Sequence, residues 1–257
     1  MLSNNQIKHI RFLQQLKFRR EFNQFVAEGD TLVLDMLASA YKVDMIVATD
    51  DWLQSNALLL NNYKATIISV KENDLQRISA LKTPNQVVGV FNMPEITLDI
   101  ENIKSQLTIA LDDIKDTGNL GTIIRIADWF GIKNIVCSPE TVDVYNSKVV
   151  QATMGSIARV NIFYLDLVDF LKSMQTSIKI YGTLLNGESV YTKTLDEKAI
   201  IVIGNESRGI SNAILPYISE KLLIPSYPIG DSNSKAESLN ASVATAIICS
   251  EFRRKTL

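Results

Sequence analysis

The chain has one histidine, two cysteines, six prolines and eleven glycines in 257 residues; the last two counts exclude collagenous or disordered character, and the first two narrow the chemistry. A sole histidine, His9, leaves no second imidazole for a zinc cluster. No nucleophile elbow accompanies it, which argues against Ser-His-Asp chemistry. Cys137 and Cys249 lie far apart in apolar surroundings and read as buried reduced thiols, not as ligands or a disulfide. No apolar run approaches the roughly 18 residues of a bilayer span, and no signal-peptide core is seen. A cytoplasmic protein with neither membrane nor metal partner is therefore expected. The G-x-G-x-x-G of dinucleotide sites and the Gly-Lys-Ser/Thr end of a P-loop are both missing, which disfavours a dehydrogenase or an NTPase.

What is present is ordinary in bulk and uneven in detail. The composition, 46% hydrophobic and 21% charged, is that of a globular protein, and the net charge of -2 excludes a strongly basic nucleic-acid binder. The first twenty residues nevertheless contain Lys8, Arg11, Lys17, Arg19 and Arg20 and no acid. Arg253, Arg254 and Lys255 cluster at the other end. Such faces either bind phosphate or are simply solvated, and composition leaves both open.

Hydrophobic spacing places the elements. Ile7, Ile10, Phe12, Leu13 and Leu16 predict one amphipathic helix over residues 5–20. Strands are expected near 25–29, 43–48, 65–70 and 86–91, alternating with helices over 30–40, 50–56 and 72–78. The Pro94-containing stretch that follows is the candidate linker, which divides the chain into 1–95, a linker over 96–105, and 106–257. The second part alternates again, with strands near 107–112, 134–137, 160–164, 178–184, 199–204 and 221–224 and helices over 122–130, 148–154 and 167–174. Ala199-Ile200-Ile201-Val202-Ile203 is continuously apolar, as a parallel strand covered on both faces would be. A last helix of small residues, including Ala241, Ser242, Ala244 and Thr245, follows Ser238, the predicted N-cap. The fold class is α/β, a small N-terminal α/β domain followed by a parallel-sheet α/β domain.

Three loops follow apolar strands, where ligands gather in open parallel sheets. The first runs Asp112-Asp113-Ile114-Lys115-Asp116-Thr117-Gly118-Asn119-Leu120-Gly121, with Arg125 expected about one turn into the next helix. The second is Gly204-Asn205-Glu206-Ser207-Arg208-Gly209, with Ser211 expected to cap a following helix. The third joins Ile224-Pro225 to Glu237-Ser238-Leu239-Asn240 across a long loop over 226–236. Singly, each has a bland reading as a turn, a cap or a solvated crossing.

Together, in this order, they resemble the motifs of the SpoU-type RNA ribose methyltransferases, a branch of the SPOUT superfamily, over roughly residues 107–254. Asn119, Gly121 and Arg125 match the first motif, Ile203 to Gly209 the second, and Ile224-Pro225 with Glu237 to Asn240 the third. Tyr145-Asn146-Ser147-Lys148 and Ala152-Thr153-Met154-Gly155-Ser156 are also similar to family sequence. Thr117 and Ser147 stand where the family usually has proline, and the loop after Pro225 is longer than its typical spacing. Residues before the linker look like the family's small α/β substrate-binding module.

The resemblance implies a C-terminal trefoil knot, a homodimer, and S-adenosyl-L-methionine bound by Thr183, Gly204, Ile224 and Leu239. It implies methyl transfer to a ribose 2′-oxygen, with Arg125, Asn119, Glu206, Ser238 and Asn240 as the catalytic group. Ribosomal RNA is favoured over transfer RNA as substrate, and a catalytically silent RNA binder is the alternative of another class. The family role of Arg125 is general base. Deprotonating a guanidinium at pH 7 costs about 7–9 kcal/mol, so a phosphate clamp that polarises the hydroxyl, oriented by Asn119, is the physically easier role.

Overall fold

A computed structural model describes residues 2–227 and 238–254. The expected long loop therefore falls largely outside the described residues, as do Glu237 of the third motif and Lys255. The chain divides into two compact units, residues 1–95 with 143–159, and 96–142 with 160–257.

The first unit is built on a four-stranded sheet of order β1-β4-β2-β3, where β1 is Gln24–Glu28, β2 Val43–Ala48, β3 Thr66–Ser69 and β4 Val87–Asn92. β4 pairs antiparallel with both β1 and β2, and β2 pairs parallel with β3. The predicted single N-terminal helix is two, α1 (Asn4–Phe12) and α2 (Leu16–Phe22), broken at Leu13-Gln14-Gln15. Apolar periodicity runs across the break because Leu13 and Leu16 are both in phase, so spacing alone could not show it. α1 starts on a capping box between Ser3 and Gln6 and buries Ile7 and Ile10. α3 (Asp30–Leu37), α4 (Asp50–Ser55), the short α5 (Ala57–Leu60) and α6 (Glu72–Gln76) complete the connections.

One expectation about the basic segment is overturned. Arg19 is not on a solvated face; it is 2% exposed, and its guanidinium meets the Asp143 carboxylate at 2.7 Å. It also donates to the Leu13 carbonyl at 2.9 Å, which ties down the chain break between α1 and α2.

The second unit is a wholly parallel six-stranded sheet of order β10-β8-β9-β5-β6-β7. Its strands are β5 (Thr108–Leu111), β6 (Asn134–Cys137), β7 (Asn161–Tyr164), β8 (Lys179–Ser189), β9 (Ala199–Ile203) and β10 (Glu220–Leu223). β5 and β9 lie side by side at the centre and are buried at every position. Apolar side chains from β5, β6 and β9 share a core with α7 (Ile100–Lys104) and α10 (Leu167–Met174). The remaining helices of this unit are α8 (Thr117–Trp129) and α11 (Ala241–Arg253), which pack against each other, while α9 (Ser147–Ala152) belongs to the first unit and packs on β1.

β8 is longer than its apolar run predicts. β10 follows it without interruption from Lys221 to Leu222, while β8 jumps from Gly182 to Glu188, so residues 183–187 swing out of the ladder. Gly187 permits this, since a Cβ there would lie 2.6 Å from the Leu222 carbonyl carbon.

Candidate active site

The carboxyl ends of the central strands β5 and β9 deliver two loops to the same edge of the sheet. After β9, residues 204–209 close into a tight hairpin in which Asn205 and Gly209 exchange backbone hydrogen bonds of 3.0 and 2.9 Å. Gly209 takes φ +67°, and a Cβ on Gly204 would collide with the Gly209 carbonyl carbon, so glycine is required at both ends. Asn205 then clasps the loops together. Its Oδ1 accepts from the N–H groups of Ser207 and Arg208 at 3.0 and 3.1 Å, and its Nδ2 donates to the Asp113 carbonyl at 2.7 Å. Arg208 also forms an ion pair with the Asp113 carboxylate.

The stretch after β5 is not the long glycine loop that its composition suggests. Asp116 caps α8 by accepting from the Asn119 N–H at 2.8 Å, so the helix begins at Thr117, not near residue 122. Gly118 and Gly121 sit inside its first turns with negative φ. Arg125 consequently lies about two turns into α8 rather than one. Ser211 caps no α-helix: its N–H donates to Asp112 at 2.7 Å, and only a turn and the short 3-10 segment Leu215–Tyr217 follow.

The N-cap of α11 is Asn240 rather than Ser238. Its Oδ1 accepts from the N–H groups of Ser242 and Val243 at 2.9 and 3.3 Å and from the Ser242 hydroxyl at 2.6 Å. Two polar residues precede the small-residue helix, and only Asn240 stands immediately before its first turn.

These three starts join in one hydrogen-bonded chain. Asn240 Nδ2 donates to Asn119 Oδ1 at 2.8 Å, and Asn119 Nδ2 donates to Glu206 Oε1 at 2.9 Å. Glu206 also accepts from the N–H groups of Asp116 and Lys115 at 3.3 and 3.4 Å. Asn119 is buried, and Glu206 is half-buried. Asparagine suits the middle position because its amide donates on one side and accepts on the other.

Beside this chain lies a cavity of about 520 Å³, within the usual range for a small-molecule site. Thr183, Gly204, Ile224 and Leu239, the four residues expected to bind the cofactor, all line it, as do Glu206 and Ser238. Thr183 reaches it because of the β8 excursion, and its hydroxyl donates to the Val202 carbonyl at 3.2 Å. Asn119, Asn240 and Arg125 are not among the lining residues. Arg125 is exposed, with no hydrogen bond or ion pair among the described residues. Leu185 (77% exposed) and Leu239 leave uncovered apolar surface on the cavity wall, which the Glu206 loop also lines. That combination fits a ligand with an apolar part and a cationic centre. Among the described residues no cluster of His, Cys, Asp or Glu could hold a metal ion.

Sequence reasoning passed over Asn205, Asp113 and Asp116. Asp116 was detectable as an acid immediately before Thr117-Gly118-Asn119, and Asn205 as an asparagine two residues ahead of the N–H groups it caps. Asp113, at φ +61°, had no such signal. The thiols lie apart from the site: burial pushes Cys249 up to about 12 and Cys137 higher still.

Comparison with known proteins follows the same division. The profile of the SpoU rRNA Methylase family matches residues 106–250, and that of the MRM3-like substrate binding domain matches residues 4–89. A 23S rRNA (guanosine(2553)-2′-O)-methyltransferase, RlmP, from Bacillus subtilis is 29% identical over 97% of this chain and 96% of its own length. A TrmH-family structure from Porphyromonas gingivalis superposes with a TM-score of 0.85 at 38% identity, covering 99% of both chains. An AdoMet-bound rRNA methyltransferase from Sinorhizobium meliloti superposes with a TM-score of 0.86 at 29% identity, covering 100% of this chain and 97% of that one.

Proposed function

Since this chain belongs to the SpoU rRNA methylase family, we propose that it transfers a methyl group from S-adenosyl-L-methionine to a ribose 2′-oxygen of ribosomal RNA. The observation that carries this is the Asn240–Asn119–Glu206 chain, which draws one residue from each of three distant motifs to the edge of a ligand-sized cavity. A silent RNA binder has no use for that convergence. Ribosomal RNA is preferred to transfer RNA because relatives matched over nearly the whole chain are named for it.

When bound, the cofactor supplies an electrophilic methyl group on a sulfonium. Thr183, Gly204, Ile224 and Leu239 would hold it, and Glu206, fixed by Asn119 and two backbone N–H groups, presents negative charge to a cationic ligand. Arg125 has no competing partner among the described residues, so its guanidinium is available to clamp a substrate phosphate in bidentate fashion and polarise the 2′-hydroxyl. Asn119 holds the start of α8 in register, Asn240 fixes the start of α11, and Ser238 offers a hydroxyl at the cavity wall.

Residues 1–95 are assigned to RNA binding and 106–257 to methyl transfer, with 96–105 joining them; the substrate-binding profile over 4–89 supports this. A C-terminal trefoil knot is part of the proposal. It is supported by Asn240, beyond the edge strand β10, bonding to Asn119 beside the sheet's centre. A crystallographic trace through 228–237 with no threading would refute it. A homodimer is proposed from Trp129, 85% exposed near the end of α8, and the half-exposed Val243 on α11; sedimentation of a Trp129→Asp variant tests it. A cytoplasmic location agrees with the finding that no described helix is long and apolar enough to cross a membrane, and cell fractionation tests it.

The deciding experiment incubates the protein with methyl-labelled S-adenosylmethionine and rRNA from cells lacking it, then maps 2′-O-methylation. Incorporation at one ribose is expected. Cofactor binding without incorporation into any rRNA would overturn the proposal. An Arg125→Lys variant that kept near-full turnover with normal RNA affinity would refute the guanidinium role.

A further inference from the structure

The outer face of α1 and α2 carries aromatic and basic side chains that methyl transfer does not use. The rings of Phe12 and Phe18 stack at 4.3 Å and 8° from parallel, and Phe22 continues the column at 6.3 Å and 15°. His9 meets Phe22 edge-on at 4.9 Å. Aromatic side chains ordinarily go into cores, yet the only buried residue of α2 is Arg19, and Phe22 is 41% exposed. The cations flank the rings: Lys8 Nζ lies 5.3 Å from the Phe12 centroid and Lys17 Nζ 5.6 Å from that of Phe18. Arg11 and Arg20 are exposed alongside, and no acid occurs before Glu21.

We infer that this face is a docking surface for unpaired nucleotides of the substrate RNA, with phosphates on Lys8, Arg11, Lys17 and Arg20 and a base stacked on Phe22. The inference takes RNA as the partner from the methyltransferase reading. Unpaired nucleotides are the class that fits, because a duplex hides the faces of its bases while a loop or single strand offers them to an aromatic ring. Four exposed cations against Glu21, the one acid of α1 and α2, supply local charge complementarity on a chain whose net charge is -2. The alternative, that the rings merely pin α2 to α1, requires neither the exposed cations nor a planar side chain at Phe22.

The test measures binding of a fluorescein-labelled, mixed-sequence single-stranded oligoribonucleotide to the full chain without cofactor, with the same sequence as a duplex for comparison. Phe22→Leu keeps the apolar contact and removes the stacking face, so affinity for the single strand is expected to fall by about 5- to 100-fold. Phe22→Tyr should bind like the wild type. Lys17→Gln with Arg20→Gln should flatten the slope of log affinity against log salt by about 1.4, at about 0.7 per phosphate contact on a single strand. The Lys17→Gln, Arg20→Gln double variant keeps the question decidable even if Phe22→Leu fails to fold. Wild-type binding by Phe22→Leu with an unchanged salt slope overturns the inference, as does tighter binding of the duplex. Calorimetric S-adenosylmethionine titration of the same samples separates the two readings. Cofactor binding with no effect of the variants sinks only the docking surface; the expected RNA losses without cofactor binding sink only the methyltransferase.

Discussion

Replacing Asn119 by Asp changes one atom in the middle of the site, and the structure fixes what that does. The new oxygen takes the place of Nδ2 and stands 2.9 Å from Glu206 Oε1. At that distance and an effective dielectric of about 20, two carboxylates repel by about 5–6 kcal/mol. Binding one proton between them is easier. For a carboxyl that ordinarily ionises near pH ~4, holding a proton at pH 7 costs about 4 kcal/mol, at about 1.4 kcal/mol per pH unit. The folded variant therefore carries one shared proton that its unfolded chain lacks at neutral pH. Stability then falls as pH rises, because the unfolded state binds fewer protons. Once protonated, the carboxyl donates to Glu206 as the amide did and still accepts from Asn240, so the geometry is restored.

Asn119→Asp should thus be about 4 kcal/mol less stable than the wild type at pH 7 and only about 1 kcal/mol less stable at pH 5. Asn119→Ala should lose a similar amount at both, since it removes the same two hydrogen bonds, to Glu206 and from Asn240, whatever the pH. Urea melts of the three chains, each compared with the wild type at the same pH, make the measurement. Parallel pH dependence for the Asp and Ala variants, or an Asp variant as stable as the wild type at pH 7, would show that Asn119 and Glu206 are not bonded as described.

Other expectations rest on separate features. Arg19→Met strands the Asp143 carboxylate against a nearly buried partner site and should cost about 3–5 kcal/mol, seen as a lower melting temperature; no loss would mean the pair is solvated. Thr117→Pro and Ser147→Pro should each stabilise by about 0.4–1 kcal/mol. Both positions are the first residue of a helix, where the missing N–H is not needed, and Asp116 (ψ 125°) and Asn146 (ψ 132°) are already extended as a residue before proline must be. Destabilisation by either would refute that placement. Neither Cys137 nor Cys249 should react with iodoacetamide at pH 8 until the chain is denatured, and mass spectrometry of native and urea-treated samples checks it.

What could be read from the sequence depended on the range of the interaction concerned. β9 was legible because every residue from Ala199 to Ile203 is apolar and buried, a signal contained in five neighbours. α10 and β6 were legible for the same reason. The start of α8 was misread because glycine and asparagine favour turns in isolation, whereas here Asp116 commits them to a helix. The tail of β8 was missed because its polar residues 186–189 look like loop, and only the β10 ladder holds them as strand. The burial of Arg19 had no local signal at all, since its partner Asp143 is 124 residues away. The candidate site divides likewise: the three loops were visible from composition and order, but Asn119–Asn240 spans 121 positions and required the fold.

That distance also limits what Asn119 can do. Its amide has two N–H groups and two acceptor positions, and the network uses one of each. What remains is one N–H and one lone pair on a 6% exposed residue, too little to bind substrate phosphate and no proton acceptor of any strength. Under the proposed mechanism Asn119 is therefore a positioning residue, and the 2′-hydroxyl would fall to the cavity side of Glu206, to Ser238, and to an Arg125 that α8 presents to solvent. If so, Asn119→Ala should weaken S-adenosylmethionine binding and methyl transfer together, through Glu206. Arg125→Ala should spare cofactor binding and abolish transfer. Calorimetry paired with methyl incorporation separates the two, and an Arg125→Ala chain that lost cofactor affinity as severely as Asn119→Ala would contradict this division of roles.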